Sequence, residues 1–379
     1  MPSLTSSSSK WLSPPILHLP LNMLLLPPLL LAIATSAALF LHSDVDIALL
    51  WSQCHARAQL PALSRVPLLG TPSCFLVSFF RTALDSLRSR AVMGVVLAYV
   101  GALATVCTVE AARRCNRASG LIARPTVWWL LFNLLGGAVV WQLVIVPAFL
   151  HRAKTLVAAE QQQQQEEDDG DEQGREEEEE EDKKLEDRTL PDSEAVAIPI
   201  AVAVGYFVPS ALMLALNSPA AIGVWLFFPL YISLVRQAVR YVVERIRRVS
   251  PVSIHHESHW QCVILVYALP VALSVAAHVF VLWNIAQRHD DRKKMTKLTV
   301  SFIEIDVQFI AWTVLYWMFV ESGWRVPLSM IAISVVAGPG AGVCLGWLIR
   351  ERLVKHGFAG KARGGEEDER EAEERPLLG

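Results

Sequence analysis

Apolar runs of about 20 residues recur along this chain, separated by short polar or charged breaks. A helix of that length crosses ~30 Å of hydrocarbon. Eight stretches qualify: Leu21–Leu41, 91–109, 126–150, 195–216, 220–235, 261–283, 300–320 and 327–348, of which 220–235 is the shortest. The pattern predicts an all-α fold, a polytopic integral membrane helical bundle of about eight transmembrane helices. The breaks divide the chain into a Ser- and Pro-rich N-terminus (1–20) expected to be disordered, a first membrane part (21–158) with three spans and a long 42–90 connection, and a low-complexity loop (159–190). A second membrane part (191–350) with five spans and a charged, disordered tail (351–379) complete it. Residues 68–80 are apolar but too short to span, which suits a re-entrant or interfacial piece. Leu21–Leu41, with Lys10 before it and Ala34-Thr-Ser-Ala-Ala38 inside it, shares features with a signal peptide, but its length favours an uncleaved span.

Local punctuation refines these spans. Pro125 suits the first turn of a helix, and Trp128 and Trp129 suit the aromatic belt at a membrane interface. Gly136-Gly137 allows close helix approach. Asn217-Ser218-Pro219 reads as a tight turn between two helices. Pro229 and Pro270 would kink their spans, and Gly338-Pro339-Gly340 would bend the last one.

Charge changes the picture in two places. Residues 160–188 hold 16 acidic and 4 basic side chains, and 361–379 hold 7 and 4, so the rest of the chain carries a net charge of +12 although the whole is −3. Such a body suits phospholipid headgroups; with no basic stripe interleaved with aromatics it does not suit nucleic acid. Basic residues beside the spans favour the termini and the 110–125 and 285–298 loops on the cytoplasmic side, which strands the five arginines of 236–248 on the other. The six cysteines form no CxxC and no metal spacing; Cys54 and Cys74 share one loop and would pair if it faces an oxidising lumen. His255, His256 and His259 have no acid or thiol at ligand spacing and read as a solvated loop, and Asp168-Asp169-Gly-Asp171-Glu172 has no apolar frame to hold a metal–diphosphate. Glu321 and the basic residues from Arg350 onward read as solvated.

The informative residues are polar groups inside apolar runs. Glu304 and Asp306 interrupt the seventh, where an ionisable side chain is costly and marks a functional site by default. On a helix Glu304 and Gln308 are neighbours, while Asp306 points about 200° away, so the two acids cannot share one cavity equally. Asn133, Gln142 and His278 lie in other runs, His278 serving either in an interhelix bond or in chemistry. No HExxH, GxSxG, P-loop, GxGxxG or haem-attachment motif is present. Acid–base chemistry on an apolar molecule remains, with a carboxyl as general acid and aromatic faces such as Trp128, Trp225, Tyr231, Trp312 and Trp317 to stabilise a cation.

Pro125-Thr-Val-Trp-Trp with Phe132-Asn133, Asn217-Ser-Pro followed by Trp225-Leu-Phe-Phe-Pro-Leu-Tyr231, and the acidic start of the seventh run at Glu304 and Asp306 together resemble the membrane-bound terpene cyclases of fungal meroterpenoid pathways, the ascochlorin and ascofuranone type. The resemblance runs from about residue 90 to 350. It implies a terpenoid isomerase of secondary metabolism, in the endoplasmic reticulum membrane, that protonates a terminal epoxide or alkene of a small prenylated aromatic substrate and closes rings with no metal or organic cofactor. Glu304 or Asp306 would supply the proton, Asn133 would orient substrate, and Trp225 and Trp312 would line the pocket with Trp128, Tyr231, His278 and Gln308 nearby. Intramembrane acids and broken helices serve a proton-coupled transporter equally well, and a noncatalytic membrane scaffold would also explain an acidic loop.

Overall fold

A computed structural model describes residues 16–41, 70–167, 190–249 and 259–353. The expectations for Cys54, for His255 and His256, for the acidic run 168–189 and for the tail beyond 353 lie outside the described residues. Among the described residues the fold is all-helical, with no strand. Five helices are long and apolar enough to cross a membrane, six when one bent pair counts as a single span.

The helices are α1 (Leu21–Leu41), α2 (Gly70–Ala83), α3 (Leu87–Ala112) and α4 (Thr126–Leu135). Next, α5 runs through Gly137–Val140, a π turn at Trp141–Ile145 and Val146–Glu167. A similar composite, α6, runs through Asp192–Val202, a π turn at Ala203–Phe207 and Val208–Leu216. They are followed by α7 (Pro219–Leu226), α8 (Phe228–Val249), α9 (His259–Gln287), α10 (Lys294–Ser322), α11 (Arg325–Ala337) and α12 (339–353). The fifth expected span is the bent pair, α7 and α8 meeting at 60°.

Two of the eight expected spans turn back instead of crossing. In 126–150 the reversal is at Gly136, whose φ of 116° and ψ of 129° are open to glycine alone. Trp129 and Trp141 would lie about 18 Å apart along one straight helix, yet their rings are 6.2 Å apart. In 327–348 the reversal is at Gly338, φ 91° and ψ 156°. There Gly342 and Gly346 leave no room for a Cβ against Ser334 and Met330 of the preceding arm. Hydropathy counts residues and cannot see a reversal, so each hairpin looks like one span. Pro125 and Arg325 therefore begin hairpins (α4–α5 and α11–α12) that return to the end of the bundle they left.

This corrects the expected arrangement of loops. Arg113, Arg152, Arg236 and Arg350 now gather at one end: Arg350 Nη2 bonds Glu321 at 2.6 Å and its Nη1 bonds Glu110 at 3.0 Å, while Arg152 donates to the Cys115 carbonyl. The 285–298 loop lies at the opposite end. There Asp291 accepts the N–H groups of Leu87 and Arg88 at 2.9 and 3.3 Å, completing the cap that Ser86 and Ser89 begin on α3. Asn217, at φ 43°, makes the α6–α7 turn and donates to the Leu84 carbonyl at that same end. The arginines of 236–248 and the 110–125 loop thus share an end, with no conflict between them.

At the centre is α3, buried without interruption over 97–112. The first helix is part of the bundle: Tyr316 donates to the Leu24 carbonyl at 2.7 Å and Gln142 to Thr35 at 2.9 Å. At 14 residues α2 is about 21 Å long, too short to cross. Cys74 on it is disulfide-bonded, whereas Cys107 and Cys344 are free thiols. Finally, α5 extends into the low-complexity run as far as Glu167.

Candidate functional site at the broken helices

Asp306 lies about 18 Å along α10, near the middle of this 29-residue helix. A helix that starts at a reversal leaves its first N–H groups without intrahelical partners. Here the start is Gly137, and Asp306 supplies the missing acceptor: Oδ1 accepts from Ala138 at 3.0 Å, and the Gly137 N–H also bonds the carboxylate. Gly137 has to be glycine, because a Cβ would sit 2.8 Å from Asp306 Oδ2 and 2.7 Å from the Phe132 ring. Sequence spacing made Gly136-Gly137 a packing pair; the backbone uses one glycine to turn and the other to admit a carboxylate.

Asn133, buried on α4, donates to the Leu226 carbonyl at 2.8 Å. That carbonyl belongs to the last residue of α7, where the bent pair breaks, so the amide occupies an acceptor the interrupted helix releases. Trp225 beside it is buried and bonds Ser210 through Nε1 at 3.0 Å. Two broken segments, one from each half of the chain, therefore meet near the middle of α10.

Aromatic rings connect these points. From Phe80 the seam runs through Trp225 (5.0 Å between ring centres), Phe228 (5.8 Å), Trp129 (5.9 Å), Trp141 (6.2 Å) and Trp317 (6.3 Å). Edge and tilted contacts dominate, the arrangement ring quadrupoles favour. On the arginine-rich side of Trp129 a cavity of about 20 Å³ is lined by Trp128, Cys107, Ile122, Val144, Ile145 and Phe149. It holds little more than one water.

The other candidate residues are placed elsewhere. Glu304 and Gln308 are exposed on the opposite side of α10 from Asp306, as the helical angle required, and Trp312, 46% exposed, rests its edge on Phe309 at 4.9 Å. Tyr231 is half-buried, and its backbone presses on Gly205 of the α6 π turn. His278 reaches the Val335 carbonyl at 3.1 Å and packs beside Gly338, so it belongs to the second hairpin. Among the described residues no group of three or more His, Cys, Asp or Glu side chains is placed to hold a metal ion.

The sequence reading missed a buried charge network at the arginine-rich end. Glu110, 4% exposed, accepts from Trp347 Nε1, Arg350 Nη1 and Asn116 Nδ2, each at 3.0 Å. Glu321 accepts from Trp317 Nε1 at 2.6 Å and pairs with Arg350, and Arg113 pairs with Glu351. Glu321 and Arg350, expected in solvent, are thus inside the protein. They sit at span ends, where a charge normally reaches water, and only the return of α12 covers them.

A protein-family model, the CtvD domain, matches residues 73–289, more than half of the chain. The chain belongs to the CtvD family. That family is associated with fungal secondary-metabolite biosynthesis, and the apolar helices are those of a multi-pass membrane protein. The CtvD match takes in the first hairpin, the α7–α8 break and all of the aromatic seam except Trp317, and it stops before α10 and its carboxylates. Neither the curated proteins nor the solved structures gave a match.

Proposed function

We propose that this CtvD-family protein is an integral membrane cyclase that protonates a terminal epoxide or alkene of a prenylated aromatic substrate and closes rings, within a secondary-metabolite pathway. The observation that carries the proposal is Asp306: a carboxyl group midway along a spanning helix, held against a helix reversal and next to an aromatic seam. As general acid it gives its proton to the epoxide oxygen while the carbon–oxygen bond breaks, leaving a tertiary cation. The N–H groups of Gly137 and Ala138 stabilise the carboxylate that remains. The faces of Phe132, Trp129 and Trp225 stabilise the cation, a chain alkene attacks it to form the ring, and the ring cation gives up a proton that returns to the Asp306 carboxylate, ending the sequence with the acid restored. Glu304, on the outer face, takes no part in the proton transfer.

The cavity is too small for such a substrate, so α4–α5 is the wall that moves to admit it. The arginine-rich end faces the cytosol, and the Cys74 disulfide suits the lumen of the endoplasmic reticulum on the other side. A second reading, proton-coupled transport of a small hydrophobic solute, is favoured by the same meeting of broken helices and a carboxylate near mid-membrane.

Microsomes containing the intact chain, supplied with a farnesylated phenol bearing a terminal epoxide, should form a cyclised product of unchanged mass. Folded, inserted protein that yields no cyclic product but accelerates uptake of the substrate into sealed vesicles would replace the cyclase with the carrier.

A further inference from the structure

Helix α8 outruns the bundle. Arg236 pairs with Glu194, in the first turn of α6, at 2.7 and 2.9 Å. That pair marks where the neighbouring span begins, yet α8 continues for about another 20 Å to Val249. Along this extension Tyr241, Val242 and Ile246 are 68%, 52% and 62% exposed. Tyr241 continues the exposed row begun by Leu230 and Leu234 lower on the same helix, where the surroundings are hydrocarbon. Val235, Val239, Val242 and Ile246 recur at helical spacing, while Arg240 and Glu244 fall on the other side. Glu194 and Glu244 offset Arg236 and Arg240. Arg245 is exposed and has no acidic partner among the described residues, and the sequence adds Arg247 and Arg248 directly after it.

We propose that residues 236–249 form an interfacial anchor that binds anionic phospholipid headgroups in the leaflet at the arginine-rich end. Tyr241 sits at the headgroup level on the row that Leu230 and Leu234 turn to lipid, and Arg245, one turn further on the same side, meets phosphate. Tyr241, which continues the lipid-facing row of Leu230 and Leu234, argues for lipid as the occupant, and the excess of arginine selects anionic lipid over neutral. Each arginine near such a surface multiplies partitioning by roughly five-fold. This inference does not depend on the reaction proposed above.

The test uses the full chain in nanodiscs of phosphatidylcholine alone or with 30% phosphatidylserine, at 0.15 M salt, with amide hydrogen exchange read over residues 241–249. Exchange should slow at least ten-fold in the anionic discs, and R245Q/R247Q/R248Q should abolish the difference while exchange in α3 and α10 stays unchanged. Equal exchange in the two discs, or a triple variant that keeps the difference, overturns the proposal. Slow exchange in both discs that is released by deleting residues 168–188 gives the surface to the chain's own acidic segment, and overturns it too.

Discussion

The two hairpins use one backbone device for different ends. Each leaves the arginine-rich end, reverses at a glycine with positive φ, and returns. Around Gly136 there is open space, and the turn's N–H groups are satisfied by a side chain from elsewhere, Asp306, while the hairpin's own Asn133 reaches the carbonyl released at the α7–α8 break. Around Gly338 the space is full, with Ser274 and His278 against the turn and Gly342 and Gly346 locking the two arms. The second hairpin is also bolted at its base by Glu110, Glu321 and Arg350. A loosely filled reversal with a carboxylate suits binding and chemistry; a tightly filled one suits structure.

Replacing Asp306 by Asn gives the largest expected effect. The amide oxygen can still accept from Ala138, so the fold should persist while cyclisation falls by about 10²–10⁴-fold, read as kcat with KM nearly constant. If turnover survives intact, the first hairpin is as structural as the second. Arg350→Met should cost about 3–5 kcal/mol by leaving Glu321 without its cation and Glu110 with Arg113 alone, seen as a lower midpoint of thermal unfolding in detergent. Gly338→Ala should cost more than Gly136→Ala: both incur backbone strain of about 1–3 kcal/mol, but only at 338 would the methyl carbon lie 2.9 Å from Ser274 Oγ. Equal losses in the same unfolding measurement would erase the contrast between the turns. Thr35→Val, which removes the hydroxyl that Gln142 of the first hairpin bonds, should cost about 1 kcal/mol.

The smallest effect concerns the end away from both hairpins. Hydrogen bonds from Arg292 hold the Asp290 carboxyl below the usual aspartate range. Because the folded value is depressed, this contribution is present above about pH 4 and is lost as pH falls through the folded value. Asp290→Asn should therefore lower stability slightly at neutral pH, leave it unchanged in strong acid where the wild-type carboxyl is itself neutral, and so flatten the acid limb of a stability–pH curve.

What the sequence made legible follows from the physics each signal carries. Apolar runs report burial in lipid or core, so the helices and most of their ends were readable. Asp306 stood out because a carboxylate in such a run is costly. The Asn217-Ser218-Pro219 turn was readable because its chemistry is local: a left-handed Asn, a Ser cap on Ala221 and a Pro in the first turn. The reversals at Gly136 and Gly338 were not, since a glycine that turns the chain and one that merely admits a neighbour look alike. Nor was the Glu110–Arg350–Glu321 network, whose partners are brought together only by the return of α12.

The bond between Asp306 and Ala138 joins positions 168 residues apart. At ribosomal rates of about 5–20 residues per second, roughly 10–30 s separate the synthesis of the turn from that of its cap. Throughout that interval the nascent hairpin carries bare N–H groups in or near hydrocarbon, so its seating in the membrane must wait for α10 or lean on a temporary partner in the insertion machinery.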